Sequence, residues 1–191
     1  MKKILFLTIV FLLFAYFVKA QLIKQLDIVI NEVAWMGTTI SANDEWLELK
    51  NNTDQNISID GWTLRAVDGT PKIKLTGNIL ANSFYLIERT DDNTILNIMA
   101  DLIYKGALSN NGEDLRLYDK SNNLIAEVNG AEKWFVGDNA TKQTMEKSST
   151  GWQTSKDVGG TPKAQNSINT TKEITTTAET TVVETTVTNP S

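Results

Sequence analysis

No histidine and no cysteine occurs in the 191 residues. Triads of the Ser-His-Asp or Cys-His kind and ordinary zinc sites are therefore excluded, because each needs one of those side chains as base, nucleophile or ligand. The residue type left for hydrolysis is the carboxylate, and a glycosidase sets two of them roughly 5 to 10 Å apart across a sugar-sized cleft. Glu32 and Glu48 are the candidates, since they lie in strand-like stretches that can be neighbours. The alternative is that both are solvated or pair with Lys50, Arg65 or Arg116 on a sheet face, the usual place for such groups. With no second domain to build a deep cleft, no catalytic residue is assigned and the chain is expected not to be an enzyme.

Two other chemistries are open to these residue types. Asp91-Asp92-Asn93, Asn43-Asp44-Glu45 and Glu113-Asp114 carry the oxygen ligands that calcium takes. None has the spacing of a helix-loop-helix calcium loop, and turn formation explains Asp and Asn equally well. No metal site and no cofactor is assigned, a structural calcium being the one exception kept open. Large aromatic side chains are enriched at recognition surfaces, so Trp35, Trp46, Trp134 and Trp152 are candidates for stacking against sugars or peptides. Burial in the core is the competing explanation. The candidate binding surface is Trp46, Glu48, Trp134 and Trp152.

The elements that must position these groups are strands. From Asp27 onward, short apolar runs alternate with polar residues and are separated by Asn, Asp and Gly clusters, the rhythm of an all-β sandwich or barrel. Strands are expected near Ile28 to Ala34, Glu45 to Lys50, Trp62 to Ala66, Lys72 to Leu75, Ser83 to Glu88, Asp114 to Tyr118 and Leu124 to Val128. A short helix or irregular crossing is expected at Thr94 to Met99, leading into Asp101 to Tyr104. Turns are expected at Asp60-Gly61, Asp68-Gly69, Asn111-Gly112 and Ser121-Asn122-Asn123, where Gly and Asn accept positive φ, and Asn110 to Glu113 has the look of a hairpin turn. Strand side chains alternate between faces, so Leu47 and Leu49 should face the core while Trp46, Glu48 and Lys50 face outward. By the same rule Leu115 and Leu117 are buried and Arg116 is exposed.

Flanking composition places this domain in its setting. Met1, Lys2 and Lys3 precede an apolar run from Ile4 to Val18, and Val18-Lys19-Ala20 follows, the layout of a secretory signal peptide cut after Ala20. The run is shorter than the roughly 20 apolar residues that span a bilayer, although a retained anchor is the alternative. Losing Lys2, Lys3 and Lys19 takes the formal charge from -5 to -8. So acidic a product is a poor ligand for phosphate backbones, which bind chiefly Lys and Arg, and no nucleic-acid partner is expected. Membrane contact is expected only through the leader. Without cysteine no disulfide can staple an exported chain, and stability must come from burial. Residues 21–27 form a lead-in, 28–166 one domain of ordinary size, and 167–191 a Thr-rich stalk with too few large apolar groups to offset ordering entropy. An edge strand at Thr180 to Thr188 is the alternative for that last stretch.

Specific motifs add a resemblance. Ile30-Asn31-Glu32-Val33-Ala34-Trp35, Asp44-Glu45-Trp46-Leu47-Glu48-Leu49-Lys50-Asn51 and Ile59-Asp60-Gly61-Trp62-Thr63-Leu64 resemble the opening of bacterial lamin tail domains. Leu108 to Leu117, Thr144-Met145-Glu146-Lys147, Trp152 and Gly160-Thr161-Pro162-Lys163-Ala164-Gln165-Asn166 follow in the family's order. The resemblance implies an immunoglobulin-like β-sandwich without established catalytic residues, found in nuclear lamins and in exported bacterial proteins. One departure is Lys163, where the family often has Gly after the closing Thr-Pro. A binding or scaffold module is therefore expected, secreted or held at the cell envelope and mediating adhesion. The alternative is carbohydrate or cell-wall recognition through exposed Trp.

Overall fold

The computed structural model describes residues 26–167. The expected signal peptide and nearly all of the Thr-rich stretch lie outside the described residues. Within them the chain is all-β, with no helix. Strands β1 (Ile28–Ala34), β2 (Trp46–Asn51), β3 (Ile57–Ser58), β4 (Thr63–Ala66), β5 (Lys72–Lys74), β6 (Asn78–Ile79) and β7 (Phe84–Arg89) come first. They are followed by β8 (Leu102–Tyr104), β9 (Asp114–Tyr118), β10 (Leu124–Asn129), β11 (Gln143–Ser148) and β12 (Gly151–Val158).

One sheet has the order β12-β11-β1-β2-β7-β8, the other β10-β9-β4-β5, and β3 and β6 make a small ribbon. All pairings are antiparallel except β7 with β8. The alternation read from the sequence decides the core. Leu47 and Leu49 stand opposite Ile87 and Tyr85, and with Ile30, Val33 and Met145 they form the inner face of the larger sheet. Leu64, Ile73, Leu115, Leu117, Ile125 and Val128 form that of the smaller. All of these belong to a single buried cluster. At roughly 1.5 to 3 kcal/mol per buried aliphatic or aromatic side chain, this layer is the main stabilising term in a chain that has no disulfide.

The seven expected strands all form, with ends shifted by at most one residue. Gly61 makes the expected turn with φ of +78°, a region costly for residues with a Cβ, and Trp62 after it is buried. Thr94 to Met99 takes the irregular form of its expected crossing, a bend and a turn with no helix. Two expectations are corrected. Asn110 to Glu113 is not a hairpin, since β8 before it and β9 after it lie in different sheets. Trp46 and Glu48 share the face opposite Leu47, as alternation requires, yet they are 1% and 0% exposed rather than open to solvent.

Candidate functional site: a covered row of carboxylates and an open groove

The outer face of the larger sheet explains why Glu48 is buried. Glu146 of β11 lies directly opposite Glu32 of β1, which lies directly opposite Glu48 of β2. Direct partners in antiparallel sheets have Cβ atoms about 4.5 to 5.5 Å apart, so three acidic side chains stand in one file. A bulge between Ile30 and Glu32 shifts the register. It keeps Ile30 on the core side and lets Asn31 join Glu32 on the outer face, the re-aiming that bulges provide.

A closing segment of the chain, residues 159–167, lies over this file. The Glu32 carboxylate accepts hydrogen bonds from the Thr144 hydroxyl, from the Thr161 amide at 3.1 Å and from the Thr161 hydroxyl at 3.0 Å. Glu48 accepts from Asn31 Nδ2 at 2.8 Å and from the Lys163 amide at 2.6 Å. Glu146 accepts from Thr161 Oγ1 at 2.7 Å and from the Ser167 amide at 3.1 Å. Asn166 completes the crossing by bonding the Lys147 carbonyl and exchanging side-chain bonds with Asn31. The segment thus runs out from Glu32 to Glu48, where Lys163 Nζ pairs with Asp101 at 2.9 Å, and returns to Glu146. At about 0.5 to 1.5 kcal/mol net for each hydrogen bond, these contacts together are enough to hold the segment down.

Two backbone positions make the crossing possible. Gly160 has φ of +72°, and a Cβ there would collide with the Glu32 carboxylate and the Thr144 hydroxyl. Lys163 has φ of +54°, the left-handed conformation that favours glycine. Here a lysine occupies the position, and its ammonium ties the segment to Asp101.

The file's electrostatics follow from this cover. Burial pushes the Glu32 carboxyl up to about 8, with the Thr144 hydrogen bond opposing and the charge of Glu146 adding. Burial likewise pushes Glu48 up to about 7, against the bonds from Lys163 and Asn31. Hydrogen-bond geometry points the same way. Thr161 Oγ1 lies 3.0 Å from Glu32 and 2.7 Å from Glu146, but a hydroxyl has one proton to donate. Its other contact is satisfied when a protonated carboxyl donates to the hydroxyl oxygen. Burial thus favours the protonated form of Glu32 at neutral pH, and the file is part of the packing.

Glu32 and Glu48 are thus brought together, but beneath the chain's own backbone rather than beside a cleft. The alternative that they are solvated or pair with Arg65 or Arg116 is also corrected, since both are 0% exposed and Arg65 and Arg116 belong to the other sheet. Lys50 acts on Glu48 through its charge, without an ion pair. The oxygen-rich loops use their carboxylates within the fold. Asp91 accepts the Asn93 amide and Asp92 the Ala100 amide, Glu45 pairs with Arg89 at 2.9 Å, and Asp114 pairs with Arg116 at 2.7 Å. Among the described residues no group of three or more acidic side chains is placed to hold a metal ion.

The four residues expected to form a binding surface separate. Trp46 and Glu48 are buried. Trp134, 7% exposed, stacks on Trp35 at 6.0 Å and donates its indole N–H to the Ser109 carbonyl. Trp152 is half-buried and remains at the surface. It borders an open groove of about 740 Å³ whose walls include Lys50, Lys147, Asn31, Gln165 and Asn166. Lys147 Nζ sits 5.1 Å from the Trp152 ring centre, a cation–π contact. Asn31 and Asn166 belong to both places, so the covered file forms part of the groove's foundation. Sequence reasoning missed Glu146, Thr144, Thr161 and Asn166 as a unit. The available signal was Asn31 and Glu32 inside the otherwise apolar run Ile28 to Ala34, with polar partners far along the chain.

Fold and site together define an immunoglobulin-like sandwich module closed by its own residues 159–167. The chain belongs to the lamin tail domain family, whose model matches residues 23–131, a family of non-enzymatic immunoglobulin-like modules. The matched stretch ends before β11, β12 and the closing segment. A search of curated proteins gave no match.

Proposed function

We propose that this chain is an exported, non-enzymatic binding module that holds a saccharide of the cell envelope in the groove beside Trp152. The observation that carries this reading is the contrast between the two places where chemistry could occur. The carboxylates that could perform hydrolysis are sealed under residues 159–167, whereas the aromatic ring in the groove is reachable. Sugar rings present apolar C–H faces that pack on an indole and hydroxyls that pair with amides and ammonium groups, the mixture of apolar wall and few polar anchors typical of ligand sites. Gln165, Lys50 and Lys147 supply those anchors. The leader-like N-terminus supports display outside the cytoplasm, where such a polymer is met and where the module would act in adhesion or envelope association.

Cosedimentation of the full chain with insoluble peptidoglycan tests this. Trp152→Ala should release the protein at concentrations where the natural chain pellets, a loss of roughly tenfold or more in affinity for a central aromatic anchor. Equal pelleting of both proteins would sink the assignment, as would soluble sugar products released by the natural chain but not by Glu48→Gln.

A further inference from the structure

The outer face of the smaller sheet carries an arrangement that folding alone disfavours. Lys72 of β5 stands directly opposite Arg65 of β4, which stands directly opposite Arg116 of β9. Like charges directly opposite in an antiparallel pair are destabilising, and here the repulsion occurs twice in one row. Only Arg116 is neutralised, by Asp114 at 2.7 Å and Glu127 at 3.2 Å. Arg65 lies 4.1 Å from the centre of the Tyr118 ring and donates to Asn122, contacts that orient its guanidinium without cancelling its charge. Among the described residues, neither Lys72 nor the adjacent Lys74 has a carboxylate within ion-pair distance. The row borders a shallow concavity of about 350 Å³ floored near Ala66 and Gly69. In a chain of net charge -5, this cationic strip on one face is a local exception.

We propose that this face binds an anionic polysaccharide, with Arg65 and Lys72 as its principal contacts. Cations on neighbouring strands are spaced by about 4.8 Å, so the unneutralised pair Arg65 and Lys72, with Lys74 further along β5, meets repeated charges along an extended polymer rather than one isolated ion. The Arg65 guanidinium, held over the Tyr118 ring, offers the planar fork that pairs with a carboxylate or sulfate through two hydrogen bonds. Nucleic acid fits less well, because the protein is acidic overall and the Tyr118 face on which a base would stack is occupied by Arg65. An anionic membrane fits less well too, because the exposed apolar side chains nearby, Val67 and Leu124, stand at opposite ends of the face and make no insertion patch. The choice of a polysaccharide rests on the reading of the chain as displayed outside the cytoplasm.

The test measures binding of the full chain to polygalacturonate, neutral dextran, a short DNA duplex and phosphatidylglycerol vesicles at roughly 50 and 200 mM salt. The expected result is polygalacturonate binding that weakens as salt rises, with dextran inert and DNA and vesicles weaker. Lys72→Glu should reduce that binding about tenfold or more while raising the melting temperature, because it places a carboxylate opposite Arg65. Arg65→Gln should also weaken it, and Trp152→Ala should leave it unchanged, which separates this face from the groove. Undiminished binding by Lys72→Glu, loss of binding in Trp152→Ala, preference for DNA or vesicles, or no polygalacturonate binding at low salt would each overturn the proposal. Failure of the natural chain to pellet with peptidoglycan would leave this binding intact and refute only the groove.

Discussion

Raising the pH should weaken this domain across a range where most proteins are at their most stable. Glu32 is pushed from an ordinary 4.5 up to about 8 by burial, and Glu48 up to about 7 for the same first reason. Burial also pushes Glu88 and Glu113 up to about 7. The folded state therefore holds protons that an unfolded chain has already released. Stability from these groups is fully present below about pH 4.5 and is lost as pH rises through about 7 to 8. Each tenfold change in a carboxyl's proton affinity on folding corresponds to about 1.4 kcal/mol, which bounds the Glu32 contribution at ~5 kcal/mol. Local opening of the closing segment admits water before that limit is reached, so a loss of ~2 to 3 kcal/mol is expected. For a domain of this size that lowers the melting temperature by roughly 5 to 10 °C. At Asp119 desolvation is outweighed by bonds from Asn123 and Ser121, and at Asp138 bonds from Ala140 and Thr141 dominate. Both sit below the ordinary range, so their opposite effect falls at more acidic pH. Thermal unfolding followed by circular dichroism from pH 5 to 8.5 at fixed ionic strength reads the slope, and Glu32→Gln should flatten it. A melting temperature that stays level or rises over this interval would refute the reasoning.

The closing segment yields two further expectations. Gly160→Ala drives a methyl group into the Glu32 carboxylate and Thr144 hydroxyl from a positive-φ position. It should cost ~2 to 4 kcal/mol, read by urea unfolding, and should increase amide exchange at Thr161 and Lys163. Lys163→Gly removes an ion pair whose side chains are 31% and 32% exposed, which contributes at most about 1 kcal/mol. It also relieves a left-handed backbone that costs a residue with a Cβ about 1 kcal/mol. The two nearly cancel, and a change beyond ~1 kcal/mol in either direction in the same unfolding assay would contradict the balance.

Local alternation carried the fold. Leu47 and Leu49, or Leu115 and Leu117, announce their strands because each alternates with polar neighbours, and a one-residue slip would turn every Leu to the wrong face. β11 and β12 lacked that signal. Thr144-Met145-Glu146-Lys147 holds one large aliphatic side chain, and β12 is a mostly polar edge strand. The same limit hid the acid file. Alternation correctly put Glu48 on the face away from Leu47, but whether that face meets water depends on residues 159–167. Those residues follow Glu48 by more than a hundred positions and bond it mainly through backbone amides, which leave no pattern in side-chain types. The Trp residues show the converse. Four rings looked alike in the sequence, and only packing distinguished Trp46, shut inside, from Trp152, left beside a groove.

The claim on which the rest depends is that the acid file is sealed structure rather than working chemistry. Carbon-13 resonances of the glutamate carboxyls, followed by pH titration of the labelled full chain, test it directly. The account predicts that Glu32 titrates near 8 and Glu48 near 7, far above the ordinary 4.5 of a glutamate in water. Midpoints near 4.5 for both would show carboxylates open to water and would contradict it.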